Sequence, residues 1–228
     1  MRLLPFFHFS LCWVCHLLEA VRGLLITDNI YQGTGIGASI ALAFATAGSK
    51  KFALLGRRVG TLQAASKNIT QSFPDVHILA ISTDVTDKAQ VDAAFDTITN
   101  ELGPVDTLVS NAGYMGSPGP LVDGNVVEAW KEFEVHVKGS INVAQAFART
   151  ASKQGAVAIH TSTLSTILPG IPNVSTYTAS KLAANKIWDS FGAENPGIRV
   201  VSFHPGIIET AMSQKNGFKA HDDGKLQN

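Results

Sequence analysis

A tyrosine and a lysine four residues apart are the side chains of this sequence best suited to acid–base chemistry. Tyr177 and Lys181 stand in the segment Ser-Thr-Tyr-Thr-Ala-Ser-Lys, residues 175–181. On a helix this spacing puts both on one face. A neighbouring ammonium favours phenolate, so we expect Lys181 to lower the pKa of Tyr177 from about 10. Such a phenol exchanges a proton with a carbonyl or alcohol oxygen, although the same spacing also occurs on ordinary surface helices.

A second candidate site is the glycine-rich stretch Gly33-Thr34-Gly35-Ile36-Gly37, which follows an apolar segment at residues 23–27. Glycines let a phosphate approach the backbone closely. The small apolar residues after them predict a helix, whose N-terminus attracts anions. A plain glycine-rich turn between strand and helix is the alternative.

The residues just after the apolar segment 51–55 indicate which cofactor would bind. In a dinucleotide-binding fold an acidic residue here holds the ribose 2′-hydroxyl, whereas arginine favours a 2′-phosphate. This chain has Gly56-Arg57-Arg58 at that point. The third segment ends in Asp84-Val85, where Asp84 is placed to meet an adenine edge. A solvated arginine without a ligand is the alternative for this stretch.

Predicted strands alternate with predicted helices, which indicates an α/β doubly wound parallel sheet of the Rossmann type. Ligands bind such sheets at the carboxyl ends of the strands, where small and hydroxyl residues follow three of the strands here. They are Asn111-Ala112-Gly113, Ser162 with Thr163, and Pro205-Gly206. The predicted strands are 23–27, 51–55, 76–81, 105–110, 156–161 and 198–203, and the predicted helices include 61–72, 89–102, 126–149 and 173–194.

Composition narrows the function classes. The 228 residues are 45% hydrophobic and 16% charged, with a formal net charge of +0. This length suits one α/β domain. Without a basic block, nucleic acid is not an expected partner. The two cysteines stand near the start, so no disulfide framework is expected.

Residues 1–22 form an apolar leader unlike the rest of the chain. A membrane anchor over residues 3–21 is a minority interpretation, because the apolar run is short for a span of roughly 20 residues. Cys12-Trp13-Val14-Cys15-His16 matches a haem-attachment pattern, but nothing downstream supplies a haem pocket, so two thiols in an apolar segment are preferred. We expect no metal site and a cytoplasmic protein.

Taken in order, these motifs resemble the short-chain dehydrogenase/reductase family over residues 23–215. The resemblance implies hydride transfer between a nicotinamide, NADP rather than NAD, and a small carbonyl compound or secondary alcohol. It implies that Tyr177 is the acid/base, that Lys181 binds the nicotinamide ribose, and that Ser162 or Thr163 bonds the substrate oxygen. The implied cofactor contacts are Gly33, Gly35, Ile36, Gly37, Arg57, Asp84, Val85, Asn111, Ala112, Gly113, Tyr177, Lys181, Pro205, Gly206 and Thr210.

The chain departs from the family pattern in several places. The first glycine of the turn is absent, and His136 replaces an asparagine that is the family's fourth catalytic residue. Six strands are expected, because the family's seventh strand has no counterpart in the tail, residues 216–228. A catalytically impaired dinucleotide-binding protein and a membrane-anchored reductase therefore remain as alternatives. The resemblance also implies a homodimer built on helices 126–149 and 173–194.

Overall fold

The computed structural model of the protein describes residues 24–27, 35–208 and 210–218, and gives only the backbone for 24–27. The leader, including Cys12 to His16, and residues 219–228 of the tail lie outside the described residues. The elements are β1 (Leu24–Thr27), α1 (Ile36–Thr46), β2 (Lys51–Gly56), α2 (Val59–Ser72), β3 (His77–Ser82), α3 (Lys88–Leu102), β4 (Thr107–Ser110), α4 (Val126–Phe133), a π-helical turn (Glu134–Lys138), α5 (Gly139–Thr150), β5 (Ala156–Thr161), α6 (Ser175–Glu194), β6 (Ile198–Phe203) and α7 (Ala211–Lys215).

The strands form a single parallel sheet in the order β3-β2-β1-β4-β5-β6. The order reverses between β1 and β4, which opens a crevice at the carboxyl ends of these strands. The predicted α/β doubly wound sheet is therefore confirmed. In the described part of the chain β6 lies at the edge, and no seventh strand pairs with it.

Both faces of the sheet are covered, which explains why its central strands read as continuous apolar runs. β2 and β4 are buried along nearly their whole length. One core packs Phe95, Phe147 and Trp188 from α3, α5 and α6 against the sheet. The opposite core packs Phe44 and Leu62 from α1 and α2. No helix among the described residues is long and apolar enough to cross a membrane.

The largest departure from the predicted elements lies in the helix expected over residues 126–149. It is divided into α4, the π-helical turn and α5. A π turn adds one residue to a helical turn, and such turns are frequent at functional sites. This one carries His136, which is buried. The strand expected over residues 105–110 begins at Thr107, and Val105 forms only an isolated bridge with Ala151.

Gly139 lets the start of α5 approach the segment that follows β3. A Cβ atom at this position would lie 2.8 Å from Cγ2 and 3.3 Å from Cβ of Val85. Val85 is buried and β-branched, so it has little freedom to move away. Asn142 Nδ2 also donates a hydrogen bond to the carbonyl oxygen of Val85 at 2.8 Å. Because Gly139 has no side chain, the helix that follows the π-helical turn can pack closely against Val85, a predicted cofactor contact.

We expect Gly139→Ala to lower the free energy of unfolding by about 1–3 kcal/mol, because the added methyl overpacks against Val85. Gly60 is the matched control, since it lies in helix α2 and a Cβ there would meet nothing within 4 Å. Gly60→Ala should leave stability unchanged or raise it by up to about 1 kcal/mol. Urea denaturation of both variants measures the difference, and equal effects would contradict the packing argument.

Candidate active site

A cavity of about 330 Å³ opens where the strands end. It is bounded by residues from four separate stretches of the chain, 35–36, 111–115, 161–181 and 204–218. The structure thus brings most of the predicted site residues together. Those lining the cavity are Gly35, Ile36, Asn111, Gly113, Ser162, Thr163, Tyr177, Lys181, Pro205, Gly206 and Thr210, whereas Gly37, Arg57, Asp84, Val85 and Ala112 are not in its lining.

Tyr177 and Lys181 lie one turn apart in α6, as their spacing predicts. Tyr177 is half-buried, while only 4% of Lys181 is exposed. The Lys181 ammonium donates a hydrogen bond to the carbonyl oxygen of Thr161, at the end of β5, over 2.9 Å. This bond joins the tyrosine helix to the strand that leads into Ser162 and Thr163.

The pKa of Tyr177 shifts in the direction opposite to the sequence-based prediction. Burial, and then the negative charge of Glu132, raise the pKa of Tyr177 to about 12. Burial also lowers the pKa of Lys181 to about 8. The prediction that Lys181 lowers the tyrosine pKa is therefore wrong for the chain by itself, because burial and the charge of Glu132 both raise the pKa of Tyr177.

Three hydroxyl side chains follow one another at the end of β5. The Thr161 hydroxyl is buried and has no hydrogen-bond partner among the described residues. Thr163 Oγ1 accepts a hydrogen bond from Ser165 Oγ at 3.2 Å, and Thr163 begins a short 3-10 turn. Ser162 is held through its backbone, whose N–H donates to Phe203 O at 2.8 Å. Geometry leaves both Ser162 and Thr163 available at the cavity.

The residues around the crevice fit a dinucleotide. Gly35 precedes α1 in extended backbone, and no side-chain hydrogen bond caps this helix, so its first N–H groups suit a phosphate. The buried Thr161 hydroxyl, which has no hydrogen-bond partner in the described part of the chain, suits a ribose hydroxyl. Gly37 is buried in the first turn of the helix. Gly33 lies outside the described residues.

The other predicted contacts are partly engaged within the protein. Asp84 Oδ1 accepts hydrogen bonds from the backbone N–H and the hydroxyl of Thr86. Arg57 is exposed just beyond β2. The Thr210 hydroxyl accepts the N–H of Ser213 at 3.1 Å and so caps α7. Gly206 has a φ of +87°, a conformation that favours glycine and turns the chain after Pro205.

Sequence reasoning missed Glu132 and His160, two buried polar residues near Tyr177 and Lys181. Glu132 accepts the N–H of Gly116 at 2.9 Å. His160 stacks on Trp188 with ring centroids 5.8 Å apart, and burial lowers its pKa to about 3. His136 was noticed only as a replacement in the family pattern. A polar residue inside the apolar run of β5 was the available signal for His160. No cluster of metal ligands occurs in the part of the chain that the structure describes.

Comparison with known proteins agrees with this geometry. Residues 31–220 match the family model described as short chain dehydrogenase. A short chain dehydrogenase/reductase of Aspergillus aculeatus is 33% identical over 191 residues, which are 83% of this chain and 64% of that protein. A 3alpha-hydroxysteroid dehydrogenase of Mediterraneibacter gnavus is 33% identical over 181 residues, covering 78% of this chain and 71% of that protein.

A solved structure shows the same fold. The alcohol dehydrogenase of Thermococcus sibiricus, complexed with 5-hydroxy-NADP, superposes with a TM-score of 0.73 at 27% identity, covering 82% of this chain and 78% of that one. The family model covers most of this chain. The chain belongs to the short-chain dehydrogenase/reductase family.

Proposed function

We propose that the protein is an NADP-dependent oxidoreductase that interconverts an uncharged ketone and its secondary alcohol. One observation carries the proposal: Tyr177 and Lys181 share one face of α6 at a cavity that also holds Ser162, Thr163 and Gly113. A bound nicotinamide would supply the hydride. In reduction, the Tyr177 hydroxyl gives its proton to the carbonyl oxygen, and Ser162 or Thr163 donates a hydrogen bond to the oxygen as charge develops on it.

The protonation states of Tyr177 and Lys181 at neutral pH are compatible with reduction. Because the pKa of Tyr177 is raised to about 12, its phenol is protonated at neutral pH and can act as an acid. The ammonium of Lys181, with a pKa of about 8, is mostly charged at neutral pH and can donate to a ribose hydroxyl. Its bond to Thr161 O fixes where that charge lies.

The cavity lining favours an apolar substrate. Lys181 is its only lysine, and no arginine, aspartate or glutamate among the described residues lines it. A carboxylate or phosphate substrate would therefore lack a second cationic partner. The relative named as a 3alpha-hydroxysteroid dehydrogenase is consistent with a bulky alicyclic substrate. Apolar side chains that line the cavity are Ile36, Met115, Leu164, Leu168, Ile171, Val174, Ile207, Ile208, Met212 and Phe218.

We also propose a homodimer, as the family resemblance implies. A groove between α5 and α6 is lined by Ile141, Ala144, Ala183 and Ile187 among others. Ile141 remains 39% exposed, and it lies on a helix whose other apolar face is already buried in the core. A second copy of the chain would cover this groove.

Light scattering of the purified chain measures its mass in solution, and we expect the mass of a dimer. A monomer at every concentration would refute the dimer.

Arg57→Ala should weaken NADPH binding by about ten- to a hundredfold and leave NADH binding unchanged, because only NADPH carries the 2′-phosphate. Arg58→Ala is the matched control, since Arg58 is the next residue, is likewise exposed and is the N-cap residue just before α2. Fluorescence titration with each cofactor measures the four affinities. If Arg57→Ala weakens both cofactors equally, or neither, Arg57 does not select NADP.

Tyr177→Phe should reduce turnover to less than a few per cent of wild type and leave NADPH binding within about twofold, because only the acid is lost. Lys181→Ala should impair turnover and NADPH binding together, since the ammonium contacts the ribose in this proposal. Ketone reduction and a cofactor titration on the same preparations separate these effects. Retained activity in Tyr177→Phe would refute the assignment. NADPH binding without any wild-type turnover would instead support an impaired dinucleotide-binding protein.

A further inference from the structure

The roles proposed so far leave unexplained a buried imidazole beside Tyr177. His136 is 1% exposed and lies in the π-helical turn between α4 and α5. We propose, resting on the proposed function, that His136 is a positioning residue: its neutral ring ties the loop after β4 to helix α6 and so holds Tyr177 at the cavity.

Hydrogen bonds determine which ring nitrogen of His136 carries the proton. The backbone N–H of Tyr114 donates to Nε2 at 3.1 Å, so Nε2 must offer a lone pair. In a neutral imidazole the proton is then on Nδ1, which lies 2.8 Å from Ser180 Oγ. Ser180 can accept this bond because its own hydroxyl donates to the carbonyl oxygen of Tyr177 at 2.8 Å. The three bonds form a consistent chain from the loop to the tyrosine backbone.

The ring of His136 also contacts the ring of Tyr177. It meets the ring of Tyr177 edge-on, with centroids 5.4 Å apart and planes inclined by 81°. A Cβ atom placed on Gly113 would lie 3.5 Å from His136 Nε2 and 3.8 Å from Lys181 Nζ. The imidazole and the ammonium therefore converge on Gly113. A Cβ atom at position 113 would make ordinary van der Waals contacts with both.

The surroundings keep this imidazole neutral. Burial, and then the positive charge of Lys181, hold the pKa of His136 well below its ordinary value, and coupling to the titration of His160 is a smaller cause. Protonation of Nε2 would also set its new N–H against the N–H of Tyr114 and break the bond to the loop. The titratable groups that act on the ring are Lys181 on α6 and His160 on β5. Tyr177 on α6 contacts the ring, and Glu132 on α4 acts on Tyr177. His136 can thus position Tyr177 at neutral pH without exchanging protons itself.

The side chain of asparagine is too short to make both bonds. Its amide atoms occupy the place of Nδ1, whereas the amide of glutamine reaches the place of Nε2. His136→Asn therefore keeps a bond to Ser180 but loses the bond to the Tyr114 N–H. His136→Gln keeps the bond to Tyr114 but loses the bond to Ser180. His136→Phe keeps the ring but loses both bonds. Ser180→Ala removes the hydroxyl that joins His136 to the backbone of Tyr177. It changes no cavity-lining side chain that the proposed reaction uses.

The first test compares kcat for ketone reduction with KM across these variants. We expect kcat to fall about tenfold in His136→Gln and Ser180→Ala, and further in His136→Phe, with KM for the ketone changed less than about threefold. Ser180→Ala should cost nothing more in the His136→Gln background, because the bond is already absent. A fall in melting temperature with kcat unchanged would make His136 a packing residue and overturn the proposal.

The second test does not need turnover. In 15N NMR spectra of the free chain labelled at histidine, His136 should show a protonated Nδ1 and an unprotonated Nε2, unchanged from roughly pH 5 to pH 8. Its Nδ1 signal should move in Ser180→Ala. A proton on Nε2, or titration of the His136 ring in this range, would refute the positioning role of His136, even in an active enzyme. If the chain binds NADPH without turnover and still gives the expected spectrum, the positioning role of His136 is supported and the proposed function is refuted.

Discussion

The burial of one ammonium group determines much of the chemistry at this site. Lys181 is almost wholly enclosed, and its resolved hydrogen bond goes to the carbonyl oxygen of Thr161. Holding a charge there is unfavourable, and the fall of its pKa from 10.5 to about 8 corresponds to about 3 kcal/mol at neutral pH. This cost is relieved as pH rises from about 8 to 10.5, since the folded chain then releases a proton that the unfolded chain still holds. The fold holds the Lys181 ammonium in place because Lys181 lies on helix α6 and its hydrogen-bond acceptor, Thr161 O, lies at the end of strand β5.

The same exclusion of water keeps the neighbouring groups uncharged. Burial raises the pKa of Tyr177 and lowers those of His136 and His160. The two histidines therefore make the folded state less favourable in acid, where the unfolded chain binds protons that the folded chain does not. At neutral pH the site consists of one cation, a protonated phenol and two neutral imidazoles. That combination suits delivery of a proton to an oxygen beside an apolar cavity.

The sheet and part of the site were predictable because their signals are local. Apolar runs such as residues 51–55 and the four-residue spacing of Tyr177 and Lys181 depend only on the periods of strands and helices. The pKa of Tyr177 was not predictable, because it depends on burial by segments distant in sequence. The bonds of His136 join residues 22 and 44 positions away. The π turn that orients His136 leaves no mark in the apolar pattern of the helix predicted over residues 126–149.

Spectrophotometric titration of the tyrosines tests most directly whether burial controls this site. The chain has three tyrosines, so the difference in absorbance near about 295 nm between wild type and Tyr177→Phe isolates one phenol. Since burial raises the pKa of Tyr177 to about 12, the difference should show no phenolate in the free protein below roughly pH 10. A phenolate signal that appears near neutral pH would contradict the account, because it would mean that the charge of Lys181 outweighs the loss of water.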